Sequence, residues 1–272
     1  MILLVARSKY YSRGREQADA AIIGSVESLL RNNGYETRLI PETALCGDKT
    51  LFEPDNTPQA VLSMARNKDS LSALAALQYN GATVINPVTA VNLCRKRSKQ
   101  WYILKFVNRE KLKGALFDSM EQLKDSWSIY PCWIKTDRKS RFVENVDRCP
   151  DLKGRLVVTE HIEGSVVKFY AVDSRIVGWF YVSAADSRFG EAVHNDLIHK
   201  YAFDMANLDS IVAYVAAKTG LMVFGGDVIV SPDGRLTLID VNDWPSFGRF
   251  RETAANRIVE LIKHYIDDGK EN

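Results

Sequence analysis

The sequence predicts an α/β protein, and three features of its 272 residues carry that prediction. It opens on a strand–helix–strand unit, runs into helices after a proline stop near residue 87, and ends in a strand-rich stretch closed by an amphipathic helix. Met1 to Ala6 reads as a buried strand. Ala18, Ala21, Ile22, Val26, Leu29 and Leu30 then recur at helical spacing until Gly34, and Tyr35 to Ile40 reads as the next strand. A right-handed crossover between two such strands implies a parallel sheet in this opening unit. Residues 41 to 58 hold three prolines and no periodicity, which predicts a loop before a strand over Gln59 to Ala65. Leu71, Leu74 and Leu77 mark a helix ending at Gly81. Val84-Ile85 is a short strand stopped by Asn86-Pro87, and helical segments follow over 88 to 95 and from Ser98 to about Phe106. From Trp133 onward strands dominate, until Ala254, Ile258, Leu261, Ile262 and Tyr265 share one face of a final helix.

The chemistry concentrates in VFGGDVIVSPDGRLTLIDVNDWPSF, residues 223 to 247. Two apolar runs flank Ser231-Pro232-Asp233-Gly234, a turn signal that predicts a β-hairpin. Strict alternation puts Leu238, Asp240 and Asn242 on one face, and the hairpin brings Asp227 toward Asp240. Either carboxylate alone reads as an ordinary strand residue. Inside LTLIDV, however, an unpaired charge costs several kcal/mol to bury, roughly, and a cation offsets that cost. Two carboxylates and an amide oxygen are hard ligands suited to Mg²⁺ shared with nucleotide phosphates, so Asp227, Asp240 and Asn242 are the candidate metal set.

Bulk properties exclude several classes. The chain is 46% hydrophobic and 26% charged, an ordinary globular composition, and its net charge of +2 gives no basis for nucleic-acid binding. Cys46, Cys94, Cys132 and Cys149 are widely spaced, which fits neither a zinc site nor a disulfide framework and predicts a reduced, cytoplasmic setting. MILLVA meets Arg7 and Lys9 too soon for a signal peptide or membrane span, so no membrane partner is expected. No internal repeat is visible, and the oligomeric state is not legible.

FGGD followed by IDVNDWPSF resembles the closing motif of the ATP-grasp superfamily. VINP (84 to 87), Lys99 near a helix start, WIK (133 to 135) and VVTEHIEG (157 to 164) fall in the order that superfamily uses. The resemblance spans roughly residues 85 to 250. It implies an ATP-grasp fold with an N-terminal Rossmann-like domain over 1–87, a central subdomain over 88–162 and a C-terminal subdomain over 163–272, the last two clamping ATP. It also implies ATP and Mg²⁺ as cofactors, Lys99 as the first phosphate lysine and Lys135 as the lysine reaching the α-phosphate. Glu160, His161 and Ile162 become the adenine hinge, Glu163 the ribose ligand, and Leu238 the residue beneath the base. For His161, the residues alone favour a packed or surface histidine. One departure stands out: residues 136 to 145, TDRKSRFVEN, lack the glycines whose amides usually cover the phosphates. Arg138, Lys139 and Arg141 are expected to supply side-chain charge instead. Lys168, within an otherwise apolar strand, is expected to face phosphate or substrate, so Lys99, Lys135, Lys168 and Arg141 are the candidate catalytic cations.

A small anionic substrate is expected near Arg7, Lys9, Arg13 and Arg15, which leave the carboxyl end of the first strand with no acidic residue between them. A solvated basic loop is the other reading. Ser246 and Arg249 lie just past the metal motif and join the substrate candidates, with Asp186, Arg188, Glu191, His194 and His199 as further residues of interest. Three functions stay open. A carboxylate–amine ligase acting through an acyl phosphate ranks first on the superfamily's usual chemistry. A small-molecule kinase acting on a polyol or inositol phosphate-like hydroxyl is the alternative, because KFYAV, FGGD and NDWPSF are similar to the inositol polyphosphate kinases and LMVFGG lacks the arginine several ligases carry. A nucleotide-binding protein without turnover is the third.

Overall fold

The computed structural model describes residues 1–12, 14–137, 139–183 and 200–268. Its first sheet is built from β1 (Ile2–Ala6), β2 (Thr37–Pro41), β3 (Ala60–Ser63) and β4 (Thr83–Ile85), in the order β2-β1-β3-β4. Every pairing in it is parallel, as the opening strand–helix–strand unit requires. The elements between its strands are α1 (Lys9–Ser12), α2 (Glu16–Asn32), α3 (Glu42–Leu45) and α4 (Lys68–Tyr79). Residues 41 to 58 are not the plain loop expected: α3 is followed by two short 3₁₀ turns at Lys49–Phe52 and Pro54–Asn56. Buried Glu42 anchors this stretch by accepting the backbone N–H groups of Ser8 (2.9 Å), Arg66 (2.6 Å) and Asn67. Three backbone donors satisfied by one buried carboxylate hold the segment without periodicity.

After α5 (Val88–Arg95) and α6 (Arg97–Asn108) comes an antiparallel sheet of β5 (Gly114–Phe117), β6 (Cys132–Lys135), β7 (Ser140–Val143) and β8 (Leu156–Glu160), in the order β5-β8-β6-β7. Its small core, with Phe117, Cys132, Ile134 and Val158, packs under α7 (Met120–Ser126). The third sheet joins β9 (Ser165–Val172), β10 (Arg175–Tyr181), β11 (Val223–Val230) and β12 (Leu236–Asp243), in the order β10-β9-β11-β12 and antiparallel throughout. The predicted hairpin is β11–β12, closed by Gly234 N–H on Ser231 O at 2.8 Å.

Strands do not fill the second half as expected. α8 (Met205–Thr219) interrupts them, capped by the Asp204 side chain at its start and by left-handed Gly220 at its end. Its buried Leu208, Val212, Val215 and Ala216 carry the helical period that a strand reading overlooks. They cover one face of the third sheet together with α6. The opposite side packs α9 (Arg251–Asp268), where Ile266 is buried and Tyr265, expected on the core face, is exposed. That core is shared: Ile2, Leu4, Ile22 and Val26 of the first unit pack with Trp244, Phe247, Ile258 and Ile262. Polar clamps reinforce it. Asn86 Nδ2 donates to Val223 O at 2.7 Å, and its Oδ1 accepts from Met222 and Val223 N–H at 2.8 Å each.

Candidate functional site

Between the second and third sheets lies an open cleft of about 680 Å³. Trp133, Lys135, Ser140 and Thr159 face it from the second sheet, and Val166, Asp227, Ile229, Ile239 and Asp240 from the third. The connection from β8 to β9, Glu160 to Gly164, forms its back, and Arg97 enters from the start of α6. Gly164 belongs there for steric reasons, since a Cβ would lie 2.3 Å from Val230 O.

Asp227 pairs directly with Asp240, as the hairpin implies, but the register slips between Asp227 and Val228, so that Val228 opposes Leu238. This bulge at Ile239 breaks the expected alternation. Ile239 and Asp240 both line the cleft, while Leu238 is fully buried in the core against α6 and α8. Leu238 therefore does not lie beneath a ligand in the cleft. Ile239 takes that position. Asn108 secures the bulge by donating to Leu238 O (2.7 Å) and accepting from Leu238 N–H (2.8 Å). Lys135 Nζ donates to Ile239 O at 3.2 Å, and Gln100 donates to Val241 O, so side chains cover the outer edge of β12.

Charges alternate across this floor. Arg97 donates to Asp240 Oδ1 at 2.6 Å, Asn242 Nδ2 to Asp240 Oδ2 at 3.3 Å, and Lys168 Nζ sits 2.6 Å from Asp227 Oδ1. The last contact is an ion pair, with Lys168 the charged partner of buried Asp227 Oδ1. Burial, partly offset by Lys168, holds the Asp227 carboxyl above its ordinary pKa. Burial also opposes ionisation of Asp240, yet Arg97 and Lys135 outweigh it and keep its pKa low. Asp240 in turn raises that of Arg97. Burial, with Arg97 nearby, lowers Lys135 to about 8. For Lys168 burial works against the charge, but Asp227 prevails and its pKa is raised.

Of the expected site residues, Lys135, Glu160, His161, Ile162, Asp227 and Asp240 line the cleft, and Lys168 and Asn242 adjoin it through the carboxylates. Trp133 Nε1 donates to His161 Nδ1 at 3.3 Å, and the Phe142 ring meets the imidazole edge-on at 5.1 Å. The N–H groups of Glu160 and His161 are taken by Lys113 O and Pro131 O, so neither N–H is open to a ligand in the cleft. Glu163 is exposed and stands outside the lining. Lys99 is also exposed. Two positions on a helix are about 200° apart, so Arg97 faces the cleft and Lys99 faces away. Arg141 pairs with core residue Ile134 and shares its face of the second sheet, whereas its neighbour Ser140 pairs with Lys135 on the cleft face. Lys139 is exposed and Arg138 lies outside the described residues.

The amino-terminal cations divide. Arg7 is committed to the protein, donating to Trp244 O (2.7 Å), Met64 O (3.2 Å) and Asp19 (3.3 Å), so it is not available to a substrate. Lys9 and Arg15 are exposed, and Arg13 lies outside the described residues, as do Asp186, Arg188, Glu191, His194 and His199. Ser246 is half-buried in the turn after β12, and Arg249 stacks on Phe180 at 4.4 Å. Arg97, Trp133 and Ile239 are among the cleft residues to which sequence reasoning gave no site role, as are Ser140, Thr159, Val166 and Ile229. Among the described residues, no three His, Cys, Asp or Glu side chains gather into a metal cluster, so a cation here rests on two carboxylates and an amide. Nor is any helix long and apolar enough to cross a membrane.

No family model matches the sequence, and no curated protein is significantly similar to it. Solved structures are similar in fold. D-alanine–D-alanine ligase from Bacillus anthracis superposes with a TM-score of 0.69 at 14% identity, covering 98% of this chain and 99% of that one. The ATP-grasp ligase PsnB, complexed with precursor peptide PsnA2 and AMPPNP, gives 0.64 at 17% identity, covering 98% and 96%. A RimK domain ATP-grasp protein from Sphaerobacter thermophilus gives 0.63 at 16%, covering 96% and 99%. Across nearly its whole length, the chain has the fold of the ATP-grasp superfamily.

Proposed function

We propose that this chain is a Mg-ATP-dependent ligase that activates a carboxylate of a small anionic substrate as an acyl phosphate, for capture by an amine. The observation that carries the reading is the cleft floor, where Arg97, Lys135 and Lys168 converge on the paired Asp227 and Asp240. The proposed division follows the three sheets, with 1–87 as the opening unit and 88–162 and 163–272 as the two walls of the cleft. The donor set fits a hard cation: Asp227 and Asp240 are paired carboxylates with the Asn242 amide beside them, and burial together with the Asp240 charge keeps the Asp227 carboxyl above its ordinary pKa despite Lys168. Asp227, Asp240 and Asn242 would hold that metal. When bound, Mg²⁺ supplies neutralisation of charge on the transferred phosphoryl group.

The protein's own residues do the positioning. Trp133, Ile162, Val166, Ile229 and Ile239 make the apolar part of the cleft, which suits a base, and the N–H of Ile162 is the remaining hinge donor among Glu160 to Ile162. Lys135 and Arg97, which line the cleft beside that apolar region, are the proposed phosphate ligands, and Lys168, paired with Asp227, is proposed to face the acceptor. Arg249 and Ser246, which follow the metal motif in sequence, are the proposed acceptor ligands. In the reaction the acceptor carboxylate oxygen bonds to the γ-phosphorus as the β–γ bridge breaks, releasing ADP. The amine then displaces phosphate. The solved ATP-grasp ligases of like fold support ligase chemistry.

The test is product analysis. Incubating the protein with MgATP, a pooled set of amino acids and small di- and tricarboxylates, and hydroxylamine is expected to yield ADP and acyl hydroxamates. A stable phosphoester formed from a polyol pool, without hydroxamate, would establish the kinase reading instead. Tight nucleotide binding without ADP release from either pool would leave binding alone.

A further inference from the structure

We propose that Arg97 and Lys168 are resident counter-ions that close the Asp227–Asp240 pair to a bare divalent cation, and that Arg97 passes from Asp240 to nucleotide phosphate when metal and nucleotide enter together. This rests on the ATP-binding reading above and adds an order to it.

Both carboxylates are engaged. Asp240 Oδ1 accepts from Arg97 at 2.6 Å and from Val241 N–H at 3.0 Å, and its Oδ2 accepts from Asn242 at 3.3 Å. Lys168 lies 2.6 Å from Asp227 Oδ1. With Lys135 held on Ile239 O, three cationic side chains surround two carboxylates. A bare Mg²⁺ therefore enters a site whose negative charge is already more than matched, and it offers nothing to the guanidinium it displaces. A nucleoside triphosphate reverses that balance. Its oxygens accept charge-assisted bonds from a displaced arginine, so the ion pair that opposes the metal becomes a phosphate contact.

Arg97 is built to make the exchange. The backbone of this residue is fixed, its N–H donating to Asp137 Oδ1 at 2.8 Å, while its side chain is 29% exposed and lines the cleft. Its NH1 also donates to Gln100 Oε1 at 2.6 Å, a partner that stays in reach as the far end of the guanidinium turns. Among the described residues Lys168 has no such second side-chain hydrogen-bond partner, and its strand pairs with β11 at Asp227 itself. Arg97 is thus the moving member and Lys168 the fixed one. The consequence is thermodynamic coupling: metal and nucleotide each raise the other's affinity by the same factor, and that factor depends on Arg97.

Manganese titration of the full chain, read by the EPR signal of free Mn²⁺, tests this with and without AMPPNP. Wild type is expected to take up Mn–AMPPNP but bare Mn²⁺ only weakly. In Arg97→Met, affinity for bare Mn²⁺ should rise by about tenfold and affinity for Mn–AMPPNP should fall by about tenfold. Arg97→Lys keeps the charge and should bind bare Mn²⁺ as weakly as wild type. Lys105→Met, on the exposed side of the same helix, should change neither. If Arg97→Met does not fold by circular dichroism, Arg97→Gln carries the same two expectations. Equal bare-metal affinity in wild type and the neutral variant would overturn the counter-ion proposal while leaving the ATP reading standing. No uptake of Mn–AMPPNP by wild type would overturn both.

Discussion

Single side chains in the cleft owe their chemistry to their surroundings, and Lys135 shows it most directly. Burial lowers it to about 8, so the free protein carries a charged amine below that pH and a neutral one above it. Nucleotide affinity should then be steady at neutral pH and fall by up to about tenfold per unit above pH 8, because binding must also draw in a proton. Calorimetry with Mg–AMPPNP checks this, and Lys135→Met should bind weakly with no slope over that range. For folding, the sign is opposite. The unfolded chain holds this proton more tightly, so this lysine makes stability rise from pH 8 toward the ordinary lysine value. The same scale marks a boundary of legibility. Arg95, Lys96, Arg97 and Lys99 crowd one helix start, and residue type alone favours none of them. Periodicity starts that helix at Ser98, whereas α6 begins at Arg97, and each residue of helix turns a side chain by about 100°. A small boundary error is enough to exchange the cation facing the cleft.

At the level of elements, the β11–β12 hairpin was readable from its turn and its two apolar runs, and the Asp227–Asp240 pairing followed from it. The bulge was not, because an inserted residue leaves no mark in a run such as LTLIDV where both faces are apolar. It is Asn108, more than a hundred residues earlier, that satisfies the backbone of Leu238 there. Asn108→Ala should cost roughly 2–4 kcal/mol, since it strands a buried donor and a buried acceptor together. A drop of roughly 5–10 °C in melting temperature is the expected reading. Because Ile239 and Asp240 depend on that bulge for their direction, AMPPNP affinity should fall as well. A variant that melts lower but binds normally would show that β12 holds its own geometry. Arg141 makes the converse point: once the β6–β7 register is known, alternation alone turns it away from the cleft.

Across the whole molecule, the order of strands and longer helices was legible up to about residue 106, the one-turn helices α1 and α3 apart, because hydrophobic period and proline and glycine stops are local signals. What the sequence does not display is how the opening unit joins the rest. The core uniting Ile22 and Val26 with Ile258 and Ile262 is formed by residues more than two hundred positions apart, and Arg7 spends its charge on the carbonyl of Trp244. A chain reduced to residues 88–272 would expose that entire surface. It should fail to give a cooperative melt, whereas the full chain should unfold in one transition by differential scanning calorimetry. Independent unfolding of the opening unit in the full chain would contradict the shared core.

Trp244 and Phe247 carry a consequence of their own. Both are completely buried, and the indole donates to Ile85 O at 3.1 Å, so the aromatics of NDWPSF serve the packing of the first sheet as well as the turn beside the carboxylates. A descendant that had abandoned turnover would still be obliged to retain them. Asp227 and Asp240 are tied instead to the cations beside them, Lys168 and Arg97, so on the proposed reading it is the joint loss of a carboxylate and its cation among distant cousins, rather than erosion of the tryptophan signature, that would mark a relic.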